Sequence, residues 1–187
     1  MNSNIDLPQG YREILHIDLQ KDKKLMIAVN VIAVVIILAM VAAASFFVPV
    51  TGFFTFDLRQ LLLLCVGFII YMVLHELVHG VFMKHYSGAK VNYGFTGMYA
   101  FAASDAYYCR RHYVVIALAP IVVWGIVLGI INFLVPMQWF YVVYWLQMGN
   151  ISGAAGDIYV TARFSMLPED ILVRDTGVAM TVFSREG

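Results

Sequence analysis

The residues best suited to chemistry form the motif HELVH at positions 75–79, inside a long apolar stretch. On an α-helix, His75 and His79 share one face about one turn apart. Two imidazoles so placed can fill two corners of a tetrahedral zinc site. Glu76 is offset by about 100° from His75 and is better placed to reach a water on the metal than to bind the metal. This arrangement is typical of zinc hydrolases, in which a carboxylate takes the proton of the attacking water.

A catalytic zinc needs a third protein ligand and an open position. We predict Asp157 as the third ligand, because it is an acid inside a later apolar segment, where a buried carboxylate needs a partner. The small residues at 153–156 let its helix approach the HELVH helix closely. Asn150, two turns earlier on the same face, can bond the substrate backbone or stabilise an oxyanion, or alternatively bond a neighbouring helix. The remaining candidate ligands are His85, Asp105, His112, Glu169, Asp170 and Asp175.

The composition places this motif in a membrane. Hydrophobic residues make up 61% of the 187 residues and charged residues 13%, against about half and about a quarter in a typical soluble domain. A soluble domain of this size cannot bury so much apolar surface, so the excess must face lipid. Titratable groups within a membrane span are costly, which favours a functional site over a chance match. The zero net charge and the absence of a basic patch argue against nucleic-acid binding.

Four apolar segments have the roughly 20 residues that an α-helix needs to cross the hydrocarbon core. They cover residues 25–48, 61–83, 114–135 and 139–162. All twelve Lys and Arg residues except Arg59 fall near the termini or between the second and third segments. The positive-inside rule therefore predicts four spans with both termini in the cytoplasm. We expect an integral membrane protein of a bacterial cytoplasmic membrane.

The predicted fold is an all-α membrane protein of four transmembrane helices, with a short strand or hairpin element between helices 2 and 3. That element falls in residues 89–104, which are rich in Tyr, Phe, Val and Gly. A further short strand is predicted before the first span, where Leu15, Ile17 and Leu19 alternate with polar residues.

The chain shows no internal repeat and no linker composition, so we predict a single membrane-embedded domain over residues 1–187. In this interpretation residues 1–24 form a cytoplasmic leader, residues 25–162 form the four-helix core, and residues 163–187 form a cytoplasmic tail.

Two segments carry a resemblance to a known family: HELVHG at 75–80 and GNISGAAGD at 149–157. They resemble a zincin peptidase family of unknown function, which is similar to the site-2 protease group of intramembrane metalloproteases. The resemblance covers nearly the whole chain and includes the leader LPQGYREILHIDLQKDKK. In site-2 proteases an extended segment after the first metal helix holds the substrate as an added strand, and residues 89–104 match that place.

The resemblance implies zinc as the cofactor, with His75 and His79 as ligands, Asp157 as third ligand and Glu76 as general base. Site-2 proteases carry an Asn, then a Pro, then an Asp-Gly pair in the late helix. Asn150 and Asp157 match in kind and rough spacing. The Pro is absent, and isoleucine stands where the Gly is usual.

The sequence thus predicts an intramembrane zinc metalloprotease. Its partners would be the lipid bilayer and a transmembrane or juxtamembrane segment of a protein substrate. The alternative is a non-catalytic metal-binding scaffold, a pseudoprotease that holds a client helix. Glu76 disfavours that alternative, because a structural metal site tolerates any residue at this position. Zinc is the usual metal for two histidines and a carboxylate, although the ligand set alone leaves other divalent ions open.

Overall fold

The computed structural model describes residues 6–18, 21–97 and 100–185 as a set of helices with two small β-sheets. The helices are α1 (Lys23–Ala44), α2 (Leu58–Ser87), α3 (Arg110–Leu134), α4 (Met137–Gly153) and α5 (Ala155–Ser165), with a 3₁₀ turn at Val50–Phe53. The strands are β1 (Arg12–Asp18), β2 (Val91–Phe95), β3 (Ala100–Ser104), β4 (Tyr107–Cys109), β5 (Leu172–Asp175) and β6 (Ala179–Ser184).

Within these described ranges, three helices are long and apolar enough to cross a membrane, namely α1, α2 and α3. The fourth predicted segment does not form one helix. It breaks at Ala154 into α4 and α5, inside the run Gly153–Gly156, where glycines weaken helical backbone. Three of the four predicted segments are therefore single helices of membrane-spanning length, and the fourth is two shorter helices in succession.

Helix α2 carries the HELVH motif and has a well-defined start and end. Asp57 caps its first turn in a reciprocal capping box with Gln60, which satisfies backbone N–H groups that the helix leaves open. Gly88 ends the helix in a left-handed conformation with φ of 66°, which glycine adopts without steric cost. His75 and His79 consequently lie in the second half of a 30-residue helix.

The hairpin predicted within residues 89–104 is confirmed: β2 and β3 pair antiparallel, and residues 98–99 lie outside the described chain. The hairpin lies directly on α2. A Cβ atom at Gly80 would stand 2.0 Å from the Tyr93 hydroxyl, so the glycine after His79 is what allows this approach.

The prediction of an all-α protein is wrong at the ends of the chain, where a four-stranded antiparallel sheet forms in the order β1-β6-β5-β4. The strand predicted around Leu15 is confirmed as β1, whereas Leu19 lies outside the described residues. The predicted cytoplasmic tail supplies β5 and β6. Val173 and Val182 from these strands are fully buried in the core with Phe164 of α5.

A buried carboxylate ties this terminal sheet to α3. The Tyr113 hydroxyl donates a hydrogen bond to Asp175 Oδ2, and the Gly177 N–H donates to Asp175 Oδ1 at 2.8 Å. Burial raises the pKa of the Asp175 carboxyl above its usual value, while the bonds from Tyr113 and Gly177 act in the opposite direction. The sheet is therefore anchored to α3 by a buried polar contact.

We expect Asp175→Ala to lower the free energy of unfolding by about 1–3 kcal/mol, because it leaves the buried Tyr113 hydroxyl without an acceptor. Asp175→Asn keeps a hydrogen-bonding side chain there and should cost less. The control is Asp105→Ala, which removes a 75% exposed partner of Arg174 and should cost at most about 1 kcal/mol. Thermal unfolding in detergent measures all three variants, and equal losses for Asp175→Ala and Asp105→Ala would contradict the anchoring role.

Candidate metal centre

Three side chains from two helices converge on one point. The Nε2 atoms of His75 and His79 lie 3.2 Å apart on α2. Oδ2 of Asp157 on α5 lies 3.5 Å from the first of these nitrogens and 3.6 Å from the second. The three donor atoms all lie within 4.8 Å of one another and form a group able to hold a metal ion. Two imidazoles and one carboxylate with room for a further ligand are the donor set of a catalytic zinc.

The helix break at Ala154 brings the carboxylate into this group. Asp157 lies in the first turn of α5, where the positive end of the helix dipole favours a negative charge. Ala154 and Ala155 are almost fully buried, so their small side chains let this turn sit deep in the bundle. The structure confirms the predicted close approach of the Asp157 segment to α2.

The outer nitrogen of His79 is held by α3. Its Nδ1 lies 2.9 Å from the carbonyl oxygen of Ile116. Since a carbonyl can only accept, Nδ1 carries a proton, and Nε2, on the side of Asp157, is the nitrogen left to bind a metal. Pro120 explains why this carbonyl is available: proline has no N–H, so the helix lacks its usual donor to the residue four positions earlier.

The outer nitrogen of His75 is held by side chains. Its Nδ1 lies 2.7 Å from Oη of Tyr71, one turn earlier on α2. Tyr71 Oη lies in turn 3.0 Å from Oδ1 of Asn150 on α4. Both imidazoles thus have a fixed partner on the side away from Asp157, which is the usual support for metal-binding histidines.

Glu76 stands beside the three donors without joining their group, as its angular offset on the helix predicts. It lines the same cavity, which has a volume of about 290 Å³. The backbone N–H of Ala102 in β3 donates a hydrogen bond to the Glu76 carboxylate. The hairpin therefore holds the Glu76 carboxylate beside the group formed by His75, His79 and Asp157. The cavity walls come from α2, α3, α5, β3 and the terminal strands, with Tyr113, Ile116, Phe101, Gly156, Asp175 and Met180 among them.

The other candidate ligands have different partners. Asp175 lines the cavity, but its two oxygens accept the bonds from Tyr113 and Gly177. The three remaining acids bond elsewhere: Asp105 to Arg174 at 2.7 Å, Glu169 to Arg110 at 3.0 Å, and Asp170 to Ser184 at 2.7 Å. The rings of His85 and His112 both pack against Tyr86. Among the described residues, the donor group consists of His75, His79 and Asp157 alone.

Asn150 is fully buried, and both ends of its amide are used by neighbouring helices. Oδ1 faces Tyr71, and Nδ2 donates to the carbonyl oxygen of Ile121 at 3.1 Å. These contacts match the alternative in which Asn150 bonds a neighbouring helix. A direct role of Asn150 with the substrate stays a prediction.

Sequence reasoning missed the groups that hold the histidines. Tyr71 carried a usable signal, because a polar group four residues before His75 in an apolar helix shares its face. Pro120 carried another, since a proline within a helix frees a carbonyl one turn earlier. The pairing of Asp175 with Tyr113 had no local signal, because the two residues are 62 positions apart in the sequence.

We expect the purified chain to bind about one zinc ion, as a single three-ligand site does. His79→Ala and Asp157→Ala should each lose most of the metal, because two donors hold zinc poorly. His112→Ala is the control and should retain it, since that ring packs on Tyr86. Elemental analysis of the detergent-purified variants measures the metal content. Full retention in Asp157→Ala would contradict the assignment and direct attention to Asp175, the other carboxylate of the cavity.

Comparison with known proteins agrees with this geometry. Residues 68–172, more than half of the chain, match a family described as "putative zincin peptidase". The matched region includes the HELVH motif, the hairpin and Asp157, and the family's description points to a zinc metallopeptidase. No curated protein and no solved structure matches the chain. The predicted family is thus confirmed, and the chain belongs to the putative zincin peptidases.

Proposed function

We propose that this protein is a zinc-dependent intramembrane metallopeptidase that hydrolyses a peptide bond in or near a membrane segment of a protein substrate. One observation carries the proposal. Glu76, His75 and His79 lie on a helix long and apolar enough to span a membrane. Together with Asp157 of α5 they face one cavity. The likeness to site-2 proteases, in the HELVH motif and the later Asn and Asp, supports the same function.

His75, His79 and Asp157 would hold the zinc ion, which when bound polarises the scissile carbonyl and activates water. Glu76 is positioned to take the proton of the attacking water and to deliver it to the leaving amine. The Ala102 N–H keeps the Glu76 carboxylate turned towards the cavity. Glu76 also weighs against the scaffold alternative, because holding a metal does not require a second carboxylate beside the donors.

The edge of β3 that is turned away from β2 is the candidate binding site for the substrate. β3 pairs with β2 along one edge, whereas the Ala102 N–H points the other way, to Glu76. Since backbone groups alternate in direction along a strand, Ala100 and Ser104 point their backbone to the same side as Ala102. A substrate segment that added to this edge in extended form would pass directly beside Glu76. The proposal therefore narrows the predicted substrate-binding stretch, residues 89–104, to one edge of β3.

Hydrogen bonding between the strands supports a fourth membrane crossing by α4 and α5 together. β4 and β5 are paired neighbours, so the chain between them must leave and return to the same side of the membrane. α3 is long and apolar enough to make one crossing, and in this proposal α4 with α5 makes the other. At about 1.5 Å per residue, their 17 and 11 residues suffice for a hydrocarbon core about 30 Å thick.

β1 belongs to the same sheet and is separated from β4 by α1 and α2. The terminal sheet would therefore lie on the cytoplasmic side, where the positive-inside rule puts the basic leader, connection and tail. We propose that the whole chain acts as one membrane-embedded unit, which the sheet closes on that side.

Glu76→Gln tests the chemistry. The variant should retain zinc, because Glu76 lies outside the donor group. Its cleavage rate should fall by a factor of about 100 or more, the usual contribution of a general base. The measurement is mass spectrometry of new peptide termini in membranes of cells that express wild type or variant. Glu13→Gln, at an exposed position of β1, is the control and should match wild type. The same new termini in Glu76→Gln cells as in wild-type cells would contradict the mechanism.

Cysteine labelling tests the fourth crossing. In a chain whose Cys65 and Cys109 are replaced by alanine, Gln138→Cys should react with a membrane-impermeant maleimide from outside intact cells. Glu169→Cys should react only after permeabilisation, because α4 and α5 would carry the chain back. Both positions are exposed, so accessibility depends on the side of the membrane. Labelling of both positions from the same side would rule out the crossing.

A further inference from the structure

We propose that Tyr71 and Asn150 form a relay that fixes the tautomer and orientation of His75 for metal binding. The relay runs from His75 Nδ1 to Tyr71 Oη at 2.7 Å and on to Asn150 Oδ1 at 3.0 Å. The inference rests on the proposed function, since it assumes that His75 is a metal ligand. It assigns positioning roles to two residues on different helices, neither of which lies among the donor atoms.

The direction of every bond in the relay follows from its far end. The Ile121 carbonyl can only accept, so the Asn150 group that lies 3.1 Å from it must be the NH₂ end. Asn150 Oδ1 therefore faces Tyr71 as an acceptor, and the Tyr71 hydroxyl must donate to it. The remaining lone pairs of Tyr71 Oη then accept the proton of His75 Nδ1. This leaves the Nε2 lone pair of His75 free to face the metal position.

Tyr71 by itself cannot impose this order. A tyrosine hydroxyl both donates and accepts, so without Asn150 it can turn and donate to His75 Nδ1. That rotation favours the tautomer whose proton sits on Nε2, which cannot bind a metal. The Asn150 side chain is fully buried, and the backbone carbonyl of the same residue, 3.5 Å from Tyr71 Oη, lies beyond a good hydrogen-bond distance and is a poor substitute for Oδ1. Through Asn150 and Tyr71, the Ile121 carbonyl of α3 thus determines which ring nitrogen of His75 on α2 carries the proton.

The two histidines reach the same state by different routes. His79 donates straight to the Ile116 carbonyl, whereas His75 reaches the Ile121 carbonyl through two side chains. Side-chain substitutions can therefore break the support of His75 and leave that of His79 in place. Loss of such an outer partner typically weakens metal binding by about 10–100-fold.

Tyr71→Phe is the direct test. Zinc affinity of the full chain in detergent is measured by competition with a chromophoric chelator, and the Kd should rise by about 10–100-fold relative to wild type. Tyr144→Phe is the matched control. It also removes a part-buried tyrosine hydroxyl, one that donates to the Met40 carbonyl at 2.8 Å, and it should leave the zinc Kd unchanged.

Asn150→Leu tests the same relay at its α4 residue and leaves every residue of α2 unchanged. It should weaken zinc binding to a similar extent, and the double variant Tyr71→Phe/Asn150→Leu should bind little worse than either single variant, because both act through His75. Thermal unfolding of the metal-free proteins distinguishes the positioning role from a purely structural one. A purely structural role would lower the melting temperature of all the variants, Tyr144→Phe included, without a selective change in the zinc Kd.

These measurements distinguish a failure of the proposed function from a failure of the relay. A wild-type chain that binds no zinc overturns the proposed function and the relay with it. Wild-type binding together with unchanged zinc affinity in both Tyr71→Phe and Asn150→Leu overturns the relay alone. Additive losses in the double variant also overturn the relay, since they would mean that the two residues act independently.

Discussion

The rest of the structure depends on one constraint: polar groups inside an apolar bundle must each find a partner. Two imidazoles and a carboxylate among apolar helices are costly unless they meet, and here His75, His79 and Asp157 do meet. Their approach requires the helices that carry them to pack closely. The outer nitrogen of each histidine is also buried and also needs a hydrogen-bond partner, which Tyr71 provides for His75 and the Ile116 carbonyl provides for His79.

Departures from regular helix supply what the site needs. Proline at 120 removes one N–H of α3 and thereby leaves the Ile116 carbonyl open to His79. The break at Ala154 ends α4 and places Asp157 in the first turn of a new helix. A regular helix at either place would be locally more stable. Its backbone groups would bond within the helix, and neither the carbonyl nor the carboxylate would be presented in the same way.

How much the sequence predicts depends on how local the governing interaction is. The HELVH motif and the β2–β3 hairpin follow from short-range spacing and composition, and both are present in the structure. The pairing of Asp157 with α2 was predictable because an acid in an apolar segment needs a partner. The terminal sheet was not, because β5 has only four residues, and the sheet is completed by β4 and β1, strands that lie far away in the sequence.

Asn150 shows why spacing in the sequence alone does not establish the role of a residue. Its position two turns before Asp157 suggests one shared helical face, and hence contact with the same substrate. The break at Ala154 separates the two residues into different helices, so spacing on one continuous helix is no argument for that contact, which stays a prediction. Asn150 instead faces Tyr71 and the Ile121 carbonyl. A buried amide whose two ends are both engaged can still determine the chemistry, because it decides which nitrogen of His75 carries the proton, and therefore whether the motif can bind a metal through that ring.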